Sequence, residues 1–290
     1  MRFFDSKIRE DDENSYTDLA VERRRADTAV PGVNFKSFEC EGFLWECIGI
    51  TTREGAESIG RPIGRYDTLN TGRMDLLTDS EIYDAMNEVA KKLCELTERL
   101  HTLPDRILVV GLGNRELTPD SVGARTAEQV RPTMQIREFD EDAFFALDCS
   151  EIAVIKPGVT ADSGIEAAEI VRGVARRIMA DVIIAVDAVA TSSEERLGSS
   201  IQISDTGIHP GGGIGNSRKE ITKEALGVPV IAIGVPTVID SRVFAKKKGS
   251  PERFGGTGMM VAPKEIDEIV SVAARIVGGG INQAFGINPF

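Results

Sequence analysis

The amino-acid sequence predicts an α/β fold, a three-layer domain with a largely parallel or mixed central sheet. The first observation is four mostly aliphatic runs at residues 107–110, 151–155, 182–186 and 228–235, which are typical of strands buried on both faces. The second is that segments with apolar residues at helical spacing separate these runs. Strands that alternate with helices form a sheet covered on both faces, and such sheets place ligands beyond the carboxyl ends of their strands.

The amino-terminal third of the chain departs from this pattern. Residues 1–14 are polar and rich in acids, so we expect a loosely held arm. Residues 33–70 contain short β-like runs punctuated by glycine and proline, which predicts a small β elaboration joined to the main sheet. Thr78 and Glu81 match a capping box, which predicts the start of a long helix that ends near residue 103.

The rest of the chain supplies the remaining elements. After residues 107–110, Gly111 and Gly113 permit a turn, and a helix is predicted to begin with Thr118 as its N-cap and Pro119 as its first residue. Further helices are predicted at residues 164–180 and 263–276, and a short strand at residues 201–204.

Composition and charge exclude several functional classes. The 290-residue chain carries a formal net charge of −12, so it lacks the basic face that direct binding of nucleic acid requires. No stretch predicts a membrane span, and charges precede the first apolar run, so we expect a cytosolic protein without a secretory signal. The four cysteines form no CxxC pair, which favours reduced thiols over a zinc knuckle.

Two aspartates are the strongest candidates for chemistry. Asp120 is predicted in the first turn of the helix that follows residues 107–110, and Asp187 interrupts the apolar run of residues 182–190. Acids at helix starts commonly serve only as partners of the helix dipole, and this interpretation stays open for Asp120 taken alone. A carboxylate inside an apolar run is costly unless it is paired or functional, so Asp187 favours a site where both acids follow strand ends.

Such a pair is equipped to hydrolyse an amide. Two carboxylates that share one water cannot both ionise easily, so one keeps a proton and the pair supplies a base and an acid. We expect Asp120, beside the backbone N–H groups of a helix start, to be the anion that activates water. We expect Asp187, in apolar surroundings, to hold the proton and polarise the carbonyl group.

Several loop motifs are weaker. The triplet at residues 205–207 matches that of pepsin-like proteases, but a single copy in an α/β context favours a turn. The glycines of residues 211–215 lack the ending of a phosphate-binding loop. His209 could complete a metal site with Asp120 and Asp187, while a hydrogen-bonding histidine is the simpler interpretation. The candidate substrate-loop residues are Asn114, Asp205 and His209, and no cofactor or metal is predicted.

Five stretches together resemble the spore germination protease of endospore-forming bacteria. They are residues 16–22 (YTDLAVE), 110–114 (VGLGN) with 118–120 (TPD), 184–188 (IAVDA), 201–208 (IQISDTGI) and 231–238 (IAIGVPTV). The resemblance implies a tetrameric endopeptidase that is made as a zymogen in the developing spore. It implies that the substrates are small acid-soluble spore proteins, degraded during germination; these coat DNA, so any link to nucleic acid is indirect. It also implies an atypical aspartic peptidase whose catalytic residues match Asp120 and Asp187.

The same resemblance reinterprets the amino terminus. In the family an arm is removed by self-cleavage within a sequence similar to the substrate's recognition site, and the matching bond here is Asp18-Leu19. Residues 1–18 would then be a propeptide, and residues 19–290 a single α/β peptidase domain that includes the elaboration at 33–70. The region at residues 240–254 looks abbreviated relative to the family. The segment missing here would supply part of a substrate groove or of the subunit contacts in typical members.

Two alternatives remain at this point. The predicted core also resembles that of hydrogenase maturation peptidases, in which two acids and a histidine bind nickel in the partner protein. Carried over, this implies a metal-dependent peptidase that uses Asp120, Asp187 and His209. The other alternative is a non-catalytic protein whose acidic surface binds basic spore proteins.

Overall fold

This computed structural model describes residues 17–24, 30–100, 104–208, 219–247 and 259–287. The strands in these ranges are β1 (Val33–Cys40), β2 (Phe43–Ile50), β3 (Gly64–Asn70), β4 (Arg106–Gly111), β5 (Glu151–Ile155), β6 (Val182–Thr191), β7 (Ser200–Ser204), β8 (Val230–Asp240) and β9 (Met260–Val261). The α-helices are α1 (Arg53–Ile59), α2 (Asp79–Arg99), α3 (Val122–Gln129), α4 (Met134–Phe139), α5 (Glu141–Leu147), α6 (Thr160–Ser163), α7 (Ala167–Ile178), α8 (Lys223–Leu226), α9 (Arg242–Lys247) and α10 (Ile266–Ala284). Three 3-10 helices span Ala20–Arg23, Met74–Leu76 and Thr118–Asp120.

The strands form one mixed sheet in the order β1-β2-β3-β7-β8-β6-β4-β5, with β9 paired to β8. The four strands β8, β6, β4 and β5 run parallel to one another. β7 is antiparallel to β8 and joins the parallel part to β1, β2 and β3, which lie within residues 33–70 and extend the sheet at one edge. The prediction of an α/β fold with a mixed central sheet is confirmed.

Helices cover both faces of the sheet. One face packs against α2, α3 and α10 through the largest core cluster, which includes Ile184 and Ile233 of the strands together with Leu93 and Val277 of the helices. On the other face, Val171 of α7 packs on the parallel strands in a second cluster. The antiparallel part of this second face is covered separately by α1 and by the 3-10 helix Ala20–Arg23. The second face is therefore covered in two parts, with a groove where they meet.

Local sequence signals explain where several elements begin. Thr78 caps α2 by accepting a hydrogen bond from the backbone of Glu81, whose carboxylate in turn accepts from the N–H of Thr78 at 2.8 Å. This is the predicted capping box. The residues from Ile82 to Leu96 that face the sheet recur at helical spacing and are buried.

Three predictions of element bounds were wrong. Thr118 is not an N-cap, because Ser121 donates its N–H to the carbonyl of Thr118 and closes a 3-10 turn before α3 begins. The helix expected at residues 164–180 is present as α7 but begins at Ala167, since Gly164 adopts a left-handed conformation that ends α6. Asp187 does not follow a strand end; it lies within β6, which continues to Thr191 because β8 runs beside it to Asp240.

Parts of the prediction lie outside the described residues. These are the acidic arm at 1–14, most of the glycine-rich loop at 207–215, and residues 248–254 of the region expected to be abbreviated. Among the described helices, none combines the length and apolar character needed to cross a membrane.

Candidate active site

Three residues in one row across the sheet form the floor of the groove. Gln202 of β7 lies opposite Gly234 of β8, and Gly234 lies opposite Asp187 of β6. Directly opposed residues in paired strands have side chains on the same face of the sheet. Gly234 has no side chain, and Val189 packs so closely here that a Cβ on Gly234 would lie 2.9 Å from a Val189 methyl carbon. Asp18 and Tyr66 also line this groove.

Asp187 is the buried acid of the groove, with 6% of its surface exposed. One of its carboxylate oxygens accepts the N–H of Ala188 at 2.9 Å. The strand residues on either side of it along the same face, Ala185 and Val189, are apolar and buried.

Asp120 is held by the turn between β4 and α3. Gly113 has φ +91°, and a Cβ there would lie 2.0 Å from the carbonyl oxygen of Asp120, so only glycine allows this approach. The Asp120 carboxylate accepts the N–H of Asn114 at 2.7 Å. The hydroxyl of Thr237 donates to the carbonyl of Pro119 at 2.6 Å and ties the turn to β8. Asp120 is only partly buried, so solvent reaches this residue.

Asp120 and Asp187 both lie beside the end of β4. Beyond β4, Leu112 continues the pairing by donating its N–H to the carbonyl of Val186 at 2.9 Å. Gly123, in the first turn of α3, packs so tightly here that a Cβ would lie 2.2 Å from that same carbonyl oxygen. Asp120 lies three residues before Gly123, and Asp187 directly follows Val186. The two acids are therefore both adjacent in the chain to the close contact between Gly123 and Val186.

The predicted processing bond, between Asp18 and Leu19, is docked on this part of the molecule. Asp18 donates its N–H to the carbonyl of Ala190 in β6 at 2.9 Å, and Leu19 and Ala20 are fully buried. The carboxylate of Glu22 accepts hydrogen bonds from the backbone N–H and the hydroxyl of Ser192 at 2.7 and 2.6 Å. Asp18 lines the same groove as Asp187.

Gln202 contacts the peptide groups on both sides of Leu19. Its Nε2 donates to the carbonyl of Asp18 at 3.3 Å, and its Oε1 accepts the N–H of Ala20 at 2.8 Å. The first of these carbonyls belongs to the Asp18-Leu19 bond itself. One side chain from the groove floor therefore fixes this bond and supplies a donor to its oxygen.

Tyr66 closes one side of the groove as a neutral group. Burial raises the pKa of Tyr66 to about 12, and its hydroxyl donates to the carbonyl of Pro62 at 3.0 Å. The phenol therefore keeps its proton across the physiological pH range. It shapes the groove without adding charge beside Asp18 and Asp187.

The remaining candidates have separate positions. Asn114 supplies a backbone N–H to Asp120, while its own side chain accepts from the backbone of Glu116 at 2.9 Å. Asp205 accepts the N–H of Arg65 at 2.7 Å, so its carboxylate secures the start of β3. His209 lies outside the described residues. Within the described ranges, no cluster of three or more metal-ligating side chains is found.

Sequence reasoning missed three residues of the groove. Gly234 carried a signal, because a glycine inside an apolar strand often marks a close approach. The sequence signal for Gln202 was weaker: it is a polar residue between two isoleucines that are buried in the structure. The sequence gives no signal for Arg61, which lies in a turn between Gly60 and Pro62. Only the fold brings its Nη2 atom to 3.5 Å from a carboxylate oxygen of Asp18.

Comparisons with known proteins agree with a peptidase. A family model described as germination protease matches residues 11–247. A germination protease from Clostridium perfringens (strain ATCC 13124) is 34% identical over 322 aligned positions, which cover 95% of this chain and 96% of that protein. The chain is a peptide hydrolase.

Further relatives define the family. Germination proteases from Caldanaerobacter subterraneus and Priestia megaterium are each 33% identical and align with 92% of this chain, covering 93% and 92% of their own lengths. This chain belongs to the germination protease family. Among solved structures, a [NiFe] hydrogenase maturation protease, HycI from Thermococcus kodakarensis, aligns with 64% of this chain and 99% of its own at 19% identity and a TM-score of 0.37.

Proposed function

We propose that this chain is an endopeptidase that initiates degradation of small acid-soluble spore proteins during germination, with Asp120 and Asp187 as its catalytic pair. The observation that carries the proposal is that the Asp18-Leu19 peptide is docked in the groove that Asp187 lines. Membership of the germination protease family supports a protein substrate from spores. We further propose that residues 1–18 are a propeptide removed by self-cleavage, and that residues 19–290 act as a tetramer in the forespore and spore core.

The proposed reaction is water attack on the carbonyl carbon of the residue before the scissile bond. Asp120 is the anion that takes a proton from the water, since it is partly exposed and accepts the Asn114 N–H. Asp187 is the proton donor to the carbonyl oxygen, since burial disfavours its charged form. The resulting diol collapses when the amine of the following residue leaves with the proton that Asp120 acquired and Asp187 takes a proton back from a diol hydroxyl. Both carboxyl groups then have their starting protonation states again.

Gln202 supports the same step without transferring a proton. Its Nε2 contacts the carbonyl oxygen on which negative charge develops. A donor placed at that position stabilises the transition state more than the ground state.

Self-processing of the full chain, followed by intact-mass spectrometry, tests this proposal. The expected product is the chain of residues 19–290, and a small acid-soluble spore protein added to it is expected to be cut. Asp120→Asn and Asp187→Asn are each expected to slow both cleavages by roughly 10²- to 10⁴-fold, as for loss of a general acid or base. Asp142→Asn is the matched control, because this exposed acid lies on α5 away from the groove.

Three results would contradict the proposal in different ways. Cleavage by Asp187→Asn at the wild-type rate would remove Asp187 from the chemistry. Loss of wild-type cleavage in the presence of a chelator would favour the metal-dependent alternative with Asp120, Asp187 and His209. Binding of the spore protein without any cut would favour the non-catalytic alternative.

A further inference from the structure

The carboxylate of Asp18 has its own recognition site, separate from the two catalytic candidates. One of its oxygens lies 3.5 Å from the Nη2 atom of Arg61, and the other accepts the N–H of Ala190 at 2.9 Å. The first contact is an ion pair and the second is a hydrogen bond, so both oxygens face a positively polarised group. A carboxylate matches this pair of donors, whereas an amide would place an N–H group against one of them.

Arg61 is fixed over the groove by the turn that ends α1. Gly60 adopts a left-handed conformation with φ +68° and directs the chain toward the groove. The Tyr66 hydroxyl bonds the carbonyl of Pro62 on the other side of Arg61. The backbone is thus fixed on both sides of Arg61 by contacts that do not involve the docked peptide.

The guanidinium also contacts the peptide backbone. Its Nη2 atom donates to the carbonyl of Thr17 at 2.9 Å, one residue before Asp18. The Arg61 side chain is 17% exposed and that of Asp18 is 20% exposed, so solvent screens their attraction less than at an open surface. The Nε atom of Arg61 is buried without a hydrogen-bond partner among the described residues. The cost of removing the guanidinium from water is therefore offset through the contacts of its Nη2 atom.

We propose that Arg61, together with the backbone N–H of Ala190, determines a preference for an acidic residue immediately before the scissile bond. The proposal rests on the proposed peptidase function and assigns the residue that reads the substrate. It applies to a substrate bound in trans as well as to the arm, because removal of residues 1–18 frees both donors. Arg61 touches the side chain beside the reacting carbonyl and takes no proton, so its role is in specificity.

The test compares matched peptides cut by the self-processed protein. The peptides carry the sequence of residues 14–25 with Asp, Glu, Asn, Gln or Lys at the position of Asp18, and kcat/KM is measured for each. The wild-type protein is expected to prefer Asp over Asn on the order of 10- to 100-fold, since the amide leaves a charged donor unmatched. In Arg61→Gln this ratio is expected to fall to within about threefold, mainly through slower cleavage of the acidic peptides.

Further variants separate charge from structure. Arg61→Lys keeps the positive charge and is expected to retain most of the preference, and Arg61→Glu is expected to favour the Lys peptide. Arg53→Gln is the matched control, because Arg53 lies on α1, the helix that precedes Arg61, and its side chain is exposed. If Arg61→Gln does not fold, the Asp-to-Asn ratio of Arg61→Lys and the full-chain processing rate of Asp18→Asn decide the question.

The outcomes distinguish this proposal from the one on which it rests. An active wild-type protein with equal kcat/KM for the Asp and Asn peptides overturns the assignment of Arg61 and leaves the peptidase intact. A uniform loss on all peptides in Arg61→Gln, with the ratio preserved, also overturns it and shows a purely structural arginine. A wild-type protein that neither processes itself nor cuts any peptide overturns both.

Discussion

Gln202 joins the docked segment to the sheet with both ends of its amide group. The Oε1 atom satisfies the N–H of Ala20, a fully buried residue, and the Nε2 atom reaches the carbonyl of Asp18. These two contacts have different consequences. The first holds the segment in place, because a buried N–H without a partner is costly. The second acts on the bond to be cut.

Two substitutions of Gln202 separate these contacts. Gln202→Glu keeps the acceptor for Ala20 but loses the donor to the carbonyl, so we expect self-processing to slow by roughly 10- to 100-fold with the segment still docked. Gln202→Met loses both contacts, so we expect slower processing together with faster hydrogen exchange at the Ala20 amide. Intact-mass spectrometry gives the rates, and Gln135→Met on the exposed surface of α4 is the control. Processing of Gln202→Glu at the wild-type rate would show that the carbonyl contact plays no part in the reaction.

At the scale of single residues, the sequence predicted the site best where a residue type conflicts with its surroundings. Asp187 stood out because a carboxylate in an apolar run requires an explanation, and it lies on the groove floor. Arg61 could not be found this way, because arginine in a polar turn is ordinary. Its significance comes from contacts with residues 17 and 18, which lie more than forty positions earlier in the chain.

The connection from β4 to α3 is the element that sets the position of Asp120. Gly111, Gly113 and Gly123 are each close enough to backbone atoms that a Cβ would fall 2.0 to 2.2 Å from a carbonyl oxygen. The contact of Gly123 is with Val186, directly before Asp187. The turn, the helix and β6 therefore form one rigid unit at the sheet edge.

Gly123→Ala tests this rigidity. Backbone atoms of Val186 and Leu112 surround the new methyl group at 2.2 and 2.5 Å, so α3 must move away from the sheet. We expect the free energy of unfolding in urea to fall by about 2 to 4 kcal/mol, as for overpacking against backbone, and self-processing to slow in protein that remains folded. Gly173→Ala is the control: no atom lies within 4 Å of a Cβ there, and the change in an exposed stretch of α7 should stabilise by about 1 kcal/mol. Equal unfolding midpoints for Gly123→Ala and the wild type would show that α3 is not tightly packed here.

Elements with strong periodicity or caps were predicted well, and those set by tertiary contacts were not. The capping box of α2 and the strand at residues 151–155 were found where predicted. The 3-10 turn at Thr118–Asp120 was not foreseen, since it depends on the Thr237 hydroxyl that binds the Pro119 carbonyl from β8. The extension of β6 past Asp187 likewise depends on pairing with β8, which local sequence does not report.

For the whole molecule, the sequence predicted the class of fold but not how its second face is divided. Alternating strands and helices were sufficient to predict the three layers. That α1 and the 3-10 helix Ala20–Arg23 cover one part of this face and α7 the other follows from the antiparallel pairing of β3 with β7. The groove with Asp187 exists because these two coverings leave the row of Gln202, Gly234 and Asp187 between them.

Two neighbouring strands of the antiparallel part of the sheet each bury a weak acid, Cys47 in β2 and Tyr66 in β3, whose proton stabilises the folded state. Burial raises the pKa of Tyr66 to about 12 from 10.0, and burial, followed by the nearby charge of Asp67, raises that of Cys47 to about 11 from 9.0. The native state therefore holds both protons at pH values where the unfolded chain has released them. The stabilisation is complete below pH 9 and is lost as the pH rises from 9 toward 12.

We expect the free energy of unfolding to decrease between pH 8.5 and 11, measured by urea titration at fixed ionic strength. Each pKa difference of two units corresponds to about 2 to 3 kcal/mol when fully expressed. Tyr66→Phe removes one titrating group and should flatten the decline above pH 10, and Cys47→Ala should flatten it from pH 9 to 11. Tyr83→Phe is the control, because that ring is 50% exposed on α2. A decline as steep in both test variants as in the wild type would place the alkaline sensitivity elsewhere. A flattening confined to Tyr66→Phe would locate it at the groove, where loss of the phenolic proton puts a negative charge beside Asp18 and Asp187.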